Sequence, residues 1–184
     1  SGNADVFCRT YREQLIYTDS RGWLAYDGKR WKADDHQAFK LTGKLSADML
    51  DDAKQEYFSA VQQQAEVEIA VSEGTQDKDA KEKAKKIVDR AKKYLDHAQQ
   101  LRNERRIKAM LELAKHELAI DPSILDADPD ILNTPAGLVH LPTGRLMPHD
   151  PKRFCTKITA VSPETRGAEM WVDCFSTLTQ SNDS

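Results

Sequence analysis

The sequence predicts an α+β fold, mainly helical, with a long helical hairpin and two small β-hairpins. Three observations predict it. A run from about His36 to Ala98 is rich in Ala, Gln, Lys and Glu with apolar residues at helical spacing. Asp27-Gly28-Lys29 sits between two short aromatic runs, and Pro142-Thr143-Gly144 sits between two short apolar ones.

The elements follow in order. Residues 5–17 read as a helix, because Val6, Phe7, Tyr11, Leu15 and Ile16 recur at three- and four-residue steps behind Asp5 or Asn3 as cap. Trp23-Leu24-Ala25-Tyr26 and Arg30-Trp31-Lys32 then form the first hairpin, and both tryptophans are expected to pack on the helices that follow. From His36 to Ala70 Met49, Ala53, Tyr57, Ala60 and Val61 share a face. A break is expected near Thr42-Gly43, with Ser46 capping a new start. The polar stretch 62–86, with Gly74 in its middle, reads as the exposed tip of the helical hairpin. The return helix buries Ala84, Ile87, Val88, Ala91, Tyr94, Leu95 and Ala98. Residues 102–118 form the clearest helix, striped by Ile107, Met110, Leu111, Ala114 and Leu118, and Asp121-Pro122 stops it.

Beyond a loop at 126–130, Leu132 to Gly137 reads as a turn. Leu138–Leu141 and Arg145–Pro148 make the second hairpin, and 154–161 reads as a strand. A last amphipathic helix is expected from Glu169, carrying Met170, Trp171, Cys174, Phe175 and Leu178 and ending in mid-pattern. The expected organisation is one domain over 1–168: helix plus Trp hairpin at 5–35, helical arm at 36–118, second hairpin and strand at 126–161. Residues 169–184 would open a further, truncated portion.

Composition narrows the function classes. With 31% charged residues and a mean hydropathy of −0.68, the chain is strongly hydrophilic, and no stretch approaches the ~18 apolar residues of a bilayer span. Three cysteines, Cys8, Cys155 and Cys174, without CxxC spacing fit a reducing cytoplasm and give no zinc site. The net charge of −3 is uneven. Residues 1–76 carry 9 Lys/Arg against 13 Asp/Glu, residues 77–118 carry 13 against 8, and residues 119–184 carry 5 against 9. The basic block fits either a solvated helix face or a surface that meets nucleic-acid phosphates. In the second case the contacts are Arg102, Arg105, Arg106 and Lys108, which decorate the clearest helix beside its apolar stripe.

Several motifs fail on their chemistry. Asp126, Asp128 and Asp130 mimic the opening of a calcium loop, but Ile131 stands where the glycine belongs and Gly137 where the closing glutamate belongs. Thr42-Gly43-Lys44 lacks the upstream glycine and the strand of a phosphate loop. The five histidines are scattered, and no GxSxG, HRD or paired-carboxylate pattern appears. No catalytic, cofactor-binding or metal-ligating residue is predicted in this chain.

The stretch Asp130 to Pro151, reading DILNTPAGLVHLPTGRLMPHDP, followed by Phe154-Cys155-Thr156-Lys157, resembles the helical domain that precedes the superfamily 3 helicase in phage and plasmid primases and poxvirus-type NTPase–primases. Gly22-Trp23 through Gly28 to Trp31 resembles that family's Trp hairpin, and Arg106–Ala114 its last long helix. Ala136, His140 and Pro142 depart from the residues usual there, Asn, Asp and Arg. The resemblance implies a non-catalytic accessory or linker domain that positions an ATP-driven helicase in DNA replication. It implies a primase region upstream, ATP and magnesium held by the helicase downstream, and a homo-hexameric parent. The second hairpin then has an architectural part, with Asn133 and Thr134 bonding nearby backbone. Two other readings compete: a helical adaptor that binds a partner through its long hairpin, and a small DNA-binding regulator. Against the regulator stand a pI near 6.0 and no helix-turn-helix spacing.

Overall fold

The computed structural model describes residues 2–163. The helix expected from Glu169, and with it Cys174, lies outside the described residues. The chain divides into two compact units. Among the described residues, one comprises those up to Ala25 together with Ala33–Ile120, and the other Tyr26–Lys32 together with those from Asp121 onward.

The first unit opens with α1, Asn3–Tyr11. The Asp5 carboxylate accepts from the amide of Gly2 (2.9 Å) and secures the first turn. The helix stops at Tyr11 rather than running to 17. Leu15 and Ile16 belong instead to strand β1, Leu15–Thr18, paired antiparallel with β2, Gly22–Tyr26, in the register Leu15↔Ala25 and Tyr17↔Trp23. Their spacing behind Tyr11 made Leu15 and Ile16 look helical. An available partner strand decided otherwise. With β3, Trp31–Ala33, they form a sheet of order β1-β2-β3.

Helix α2 then runs unbroken from Asp35 to Ser72, capped by the Asp34 carboxylate accepting from Gln37 N (2.9 Å). The expected break at Thr42-Gly43 is absent. Gly43 lies on the exposed side, where it costs about 1 kcal/mol relative to Ala, while Ala38, Leu41, Thr42 and Leu45 are buried around it. Ser46 caps nothing: its hydroxyl donates to Thr42 O one turn back (2.8 Å). Helix α3, Lys78–Gln100, returns along α2 through small residues, Ala53 and Ala60 on one helix and Ala84, Ala91 and Ala98 on the other. Of the larger residues expected on its buried side, Ile87 is exposed. Alanine contacts bring the two axes close and leave little room for bulk between them. Helix α4, Glu104–Leu118, buries Met110, Leu111, Ala114 and Leu118 in the core with Phe7, Tyr11, Leu15 and Trp23. Arg102 precedes it, in the turn.

The second unit is built on a three-stranded meander, β4 (Ile131–Thr134), β5 (Gly137–His140) and β6 (Arg145–Met147). The segment 132–137, expected to be a turn, is mostly strand. Only Pro135-Ala136 turns, and the Thr134 hydroxyl closes it on Gly137 O (2.8 Å). Segment 154–161 is not a strand. Phe154 has a left-handed backbone (φ 48°), and the Asn133 amide Nδ2 takes the Lys157 carbonyl (3.0 Å) that a strand ladder would use. Trp31 belongs here and not against the helices: its ring stacks on Phe154 at 6.3 Å and meets Tyr26 at 5.4 Å. Trp23 does pack among the helices, as expected.

Candidate nucleic-acid interface

The corner between α3 and α4 carries the predicted basic residues. Leu101 is buried and pins the turn, and Asn103 caps α4 by accepting from Arg105 N through its side chain (2.9 Å). Around this pinned turn Arg102, Arg105 and Arg106 are all exposed. Among the described residues, no carboxylate forms an ion pair with any of the three. Two arginines in the first turn of a helix oppose its dipole, so they do not serve the helix's own stability. They leave a concentrated positive field at one corner.

Lys108 does not join them. Its ammonium pairs with Glu104 one turn back at 2.6 Å, and that hydrogen bond and charge hold the Glu104 carboxyl below its ordinary value. Lys108 also lines a hollow of about 370 Å³, together with Tyr17, Trp23, Phe39, Leu111 and Lys115 among others. There Lys115 binds Glu112 (2.7 Å) and lies 5.4 Å from the Tyr17 ring centre. With Asp35 and Glu112 in its wall as well, this hollow has no net positive charge.

The rest of the basic block divides in the same way. On α3, Lys83 pairs with Asp79 (2.9 Å) and Lys86 with Glu82 (3.4 Å), while Lys81 reaches Glu68 on α2 (3.4 Å). Three of the five ion pairs named for this block, Asp79–Lys83, Glu82–Lys86 and Glu104–Lys108, have i,i+4 spacing. That spacing is readable in the sequence, and it sets the Glu104 carboxylate beside Lys108. Lys78, Lys85 and Lys92 form no ion pair among the described residues, and sequence reading had not singled them out.

The motifs set aside on their chemistry have structural tasks. Thr42, Gly43 and Lys44 lie inside a continuous helix, whose amides are taken by the turn before, so no phosphate cradle forms there. That segment does not fit a nucleotide. The Asp126 carboxylate accepts from Thr156 N (2.6 Å), from the Thr156 hydroxyl and from Lys157 N (3.3 Å). Burial works against its charged form, but the Thr156 and Lys157 donors outweigh it and its carboxyl lies below the ordinary value. Asp128 binds Arg153 (3.0 Å) and accepts from Asp130 N (3.1 Å). Among the described residues, no three His, Cys, Asp or Glu side chains are grouped to hold a metal ion. Nor is any described helix long and apolar enough to cross a membrane.

Two segments far apart in sequence therefore come together around Asn133. Its amide Nδ2 bridges Lys29 O and Lys157 O, both at 3.0 Å, and ties the Asp27–Arg30 turn to the segment that follows the meander. The lysine of that same turn donates from Nζ to Pro135 O (3.1 Å). These are the stretches that carry the family resemblance, and their side chains are spent on joining backbone to backbone.

No curated protein matches the chain. The profile of the family described as D5 N terminal like matches residues 4–177, nearly the whole sequence. The chain belongs to the D5 N terminal like family, the domain found ahead of the helicase in phage and plasmid primase–helicases.

Proposed function

We propose that this chain is a non-catalytic accessory domain that positions the helicase of a DNA primase–helicase, and that it touches DNA through Arg102, Arg105 and Arg106. The observation that carries the DNA contact is the corner itself, with three exposed arginines and no ion-pair partner for them among the described residues. Family membership supports the replication context. On this reading the module's partners are DNA and the primase and helicase regions of its own parent. The parent works in the cytoplasm as a homo-hexamer, and ATP and magnesium are held by the helicase.

Contacts from such a corner are to phosphate, which carries charge at every nucleotide and no sequence information. Binding is therefore sequence-indifferent and weak, with a Kd of roughly 10⁻⁴–10⁻⁶ M. Neutralising about three phosphates gives a slope of log K against log salt of roughly −2 to −3. The test is fluorescence anisotropy of the chain on labelled single-stranded and duplex oligonucleotides at low and moderate salt. Arg105→Glu with Arg106→Glu is expected to abolish the signal at low salt. Binding that this double variant leaves intact removes the corner from the account.

A further inference from the structure

The arginine corner and the hollow beside Lys108 share one face of α4. Arg105, Lys108, Glu112 and Lys115 follow one another at steps of three, four and three residues, which keeps them on one side of the helix. The last three of them line the hollow together with Leu111. From Arg105 to Glu112 is about 10.5 Å along the axis. One DNA strand covers that length in about three stacked nucleotides, at roughly 3.4 Å each. The walls of the hollow are fixed by the fold. The Asp35 carboxylate accepts from Trp23 N (3.2 Å), and Lys115 is held by Glu112 (2.7 Å). Its three aromatic residues are not equivalent. Trp23 is 5% exposed, and Tyr17 meets it edge to face at 5.3 Å with the Lys115 ammonium over its ring. Phe39 is 46% exposed and still offers its ring to a ligand.

We infer that this hollow takes one unpaired base of single-stranded DNA, stacked on Phe39, while phosphates of the same strand sit at Arg102, Arg105 and Arg106. The inference rests on the DNA contact proposed above and deepens it by naming the form of DNA. Charge divides the two places. The corner has three cations without ion-pair partners among the described residues, and it attracts phosphate. In the hollow Lys108 is paired with Glu104 and Lys115 with Glu112, and Asp35 adds a further carboxylate. A phosphate gains nothing there, whereas a neutral base meets no such repulsion. The carboxylates of Asp35 and Glu112 accept hydrogen bonds from the amino groups and ring N–H groups that bases carry. A base inside a duplex is stacked and paired, and reaching the hollow would require its extrusion. In a single strand the base face is free. Every base has such a face, so stacking selects the form of the DNA and leaves the sequence unread.

The test is fluorescence anisotropy of the whole chain on a labelled, unstructured 20-nucleotide strand and on the duplex of the same sequence, at low salt. The strand is expected to bind at least about fivefold more tightly than the duplex, the lower end of what one stacked base contributes. Phe39→Ala should remove that preference and leave duplex affinity unchanged, while Phe39→Trp should keep it. Unchanged duplex binding requires a folded chain, so misfolding cannot imitate the result. A 5-iodo-deoxyuridine within the strand should photo-crosslink to the peptide that carries Phe39, and Arg105→Glu with Arg106→Glu should abolish the crosslink. Equal affinity for strand and duplex overturns the inference, as does a preference that Phe39→Ala leaves intact. In both cases the arginine corner stands or falls separately, on its own double variant. Binding of neither DNA form at low salt removes the DNA contact itself, and this inference with it.

Discussion

The indole Nε1–H of Trp31 donates to the carbonyl oxygen of Pro151 at 2.8 Å, joining residues 120 positions apart. The backbone amide of the same residue donates to Cys155 O (2.8 Å), and its ring stacks on Phe154. Trp31→Ala removes a side chain that is 2% exposed and leaves a carbonyl without its donor. It is expected to cost about 3–5 kcal/mol. Trp31→Phe, which keeps the stack and loses the bond, should cost distinctly less. Thermal unfolding of both variants checks this, and an unchanged Tm for Trp31→Ala would refute it.

Gly137 and Gly144 both flank turns of the second sheet, yet they differ in what surrounds them. Gly137 has φ +147°, and a Cβ there would lie 2.3 Å from the carbonyl oxygen of Met147 on β6. Gly144, at φ +66°, has open space around it. Gly144→Ala therefore incurs only the left-handed penalty of about 1–2 kcal/mol. Gly137→Ala adds a clash with backbone that cannot move without breaking the β5–β6 ladder. Chemical denaturation should show Gly137→Ala as much the more damaging of the two.

Asp126 gives the second unit a pH dependence of known sign. Its folded carboxyl lies below the ordinary value, so its contribution to stability is complete above the unfolded value near 3.9 and is lost as pH falls through the lower folded value. Asp126→Asn is expected to destabilise at neutral pH. The gap between the variant and the wild type should then narrow only in acid, below about pH 4. A gap that stays constant across that window would contradict the assignment.

Burial, with Glu117 beside it, pushes the Cys8 thiol up to about 12. At pH 8 it is a neutral thiol in the core of the first unit, and thiolate is the reactive form. Iodoacetamide should leave Cys8 unmodified in the folded chain and alkylate it in denaturant, as read by peptide mass mapping.

The isolated chain is expected neither to hydrolyse ATP nor to make primers. The GK dipeptide at 43–44 is locked in a helix, and the Asp126 and Asp128 carboxylates are engaged with backbone amides, a hydroxyl and Arg153. Steady turnover that disappears on mutating one of this chain's own residues would disprove it.

Much of the architecture was legible in local chemistry. The Asp27-Gly28 turn, the α3 and α4 stripes and the Pro142–Gly144 turn each announce themselves within a few residues. What was not legible depends on partners distant in sequence. Leu15 and Ile16 join a strand because Leu24 and Ala25 offer a register, and 154–161 fails as a strand because the Asn133 side chain intercepts it. Gly43 does not break α2, because the burial of Leu41 and Leu45 outweighs one glycine. At the corner, position in the sequence named the arginines, and the geometry showed that they have no ion-pair partner among the described residues.

The second unit takes seven residues, Tyr26–Lys32, from inside the stretch of chain that builds the first. No single proteolytic cut can therefore separate the two. Freeing the residues after Asp121 would strip away Trp31 and the Lys29 carbonyl that Asn133 holds. The order of synthesis inherits the same constraint. Trp31 leaves the ribosome more than a hundred residues before Pro151 and Phe154, and until they arrive its ring has only Tyr26 from its own unit for company. A nascent chain stalled anywhere in the long arm thus displays an unfinished aromatic cluster, which is the kind of surface that chaperones recognise.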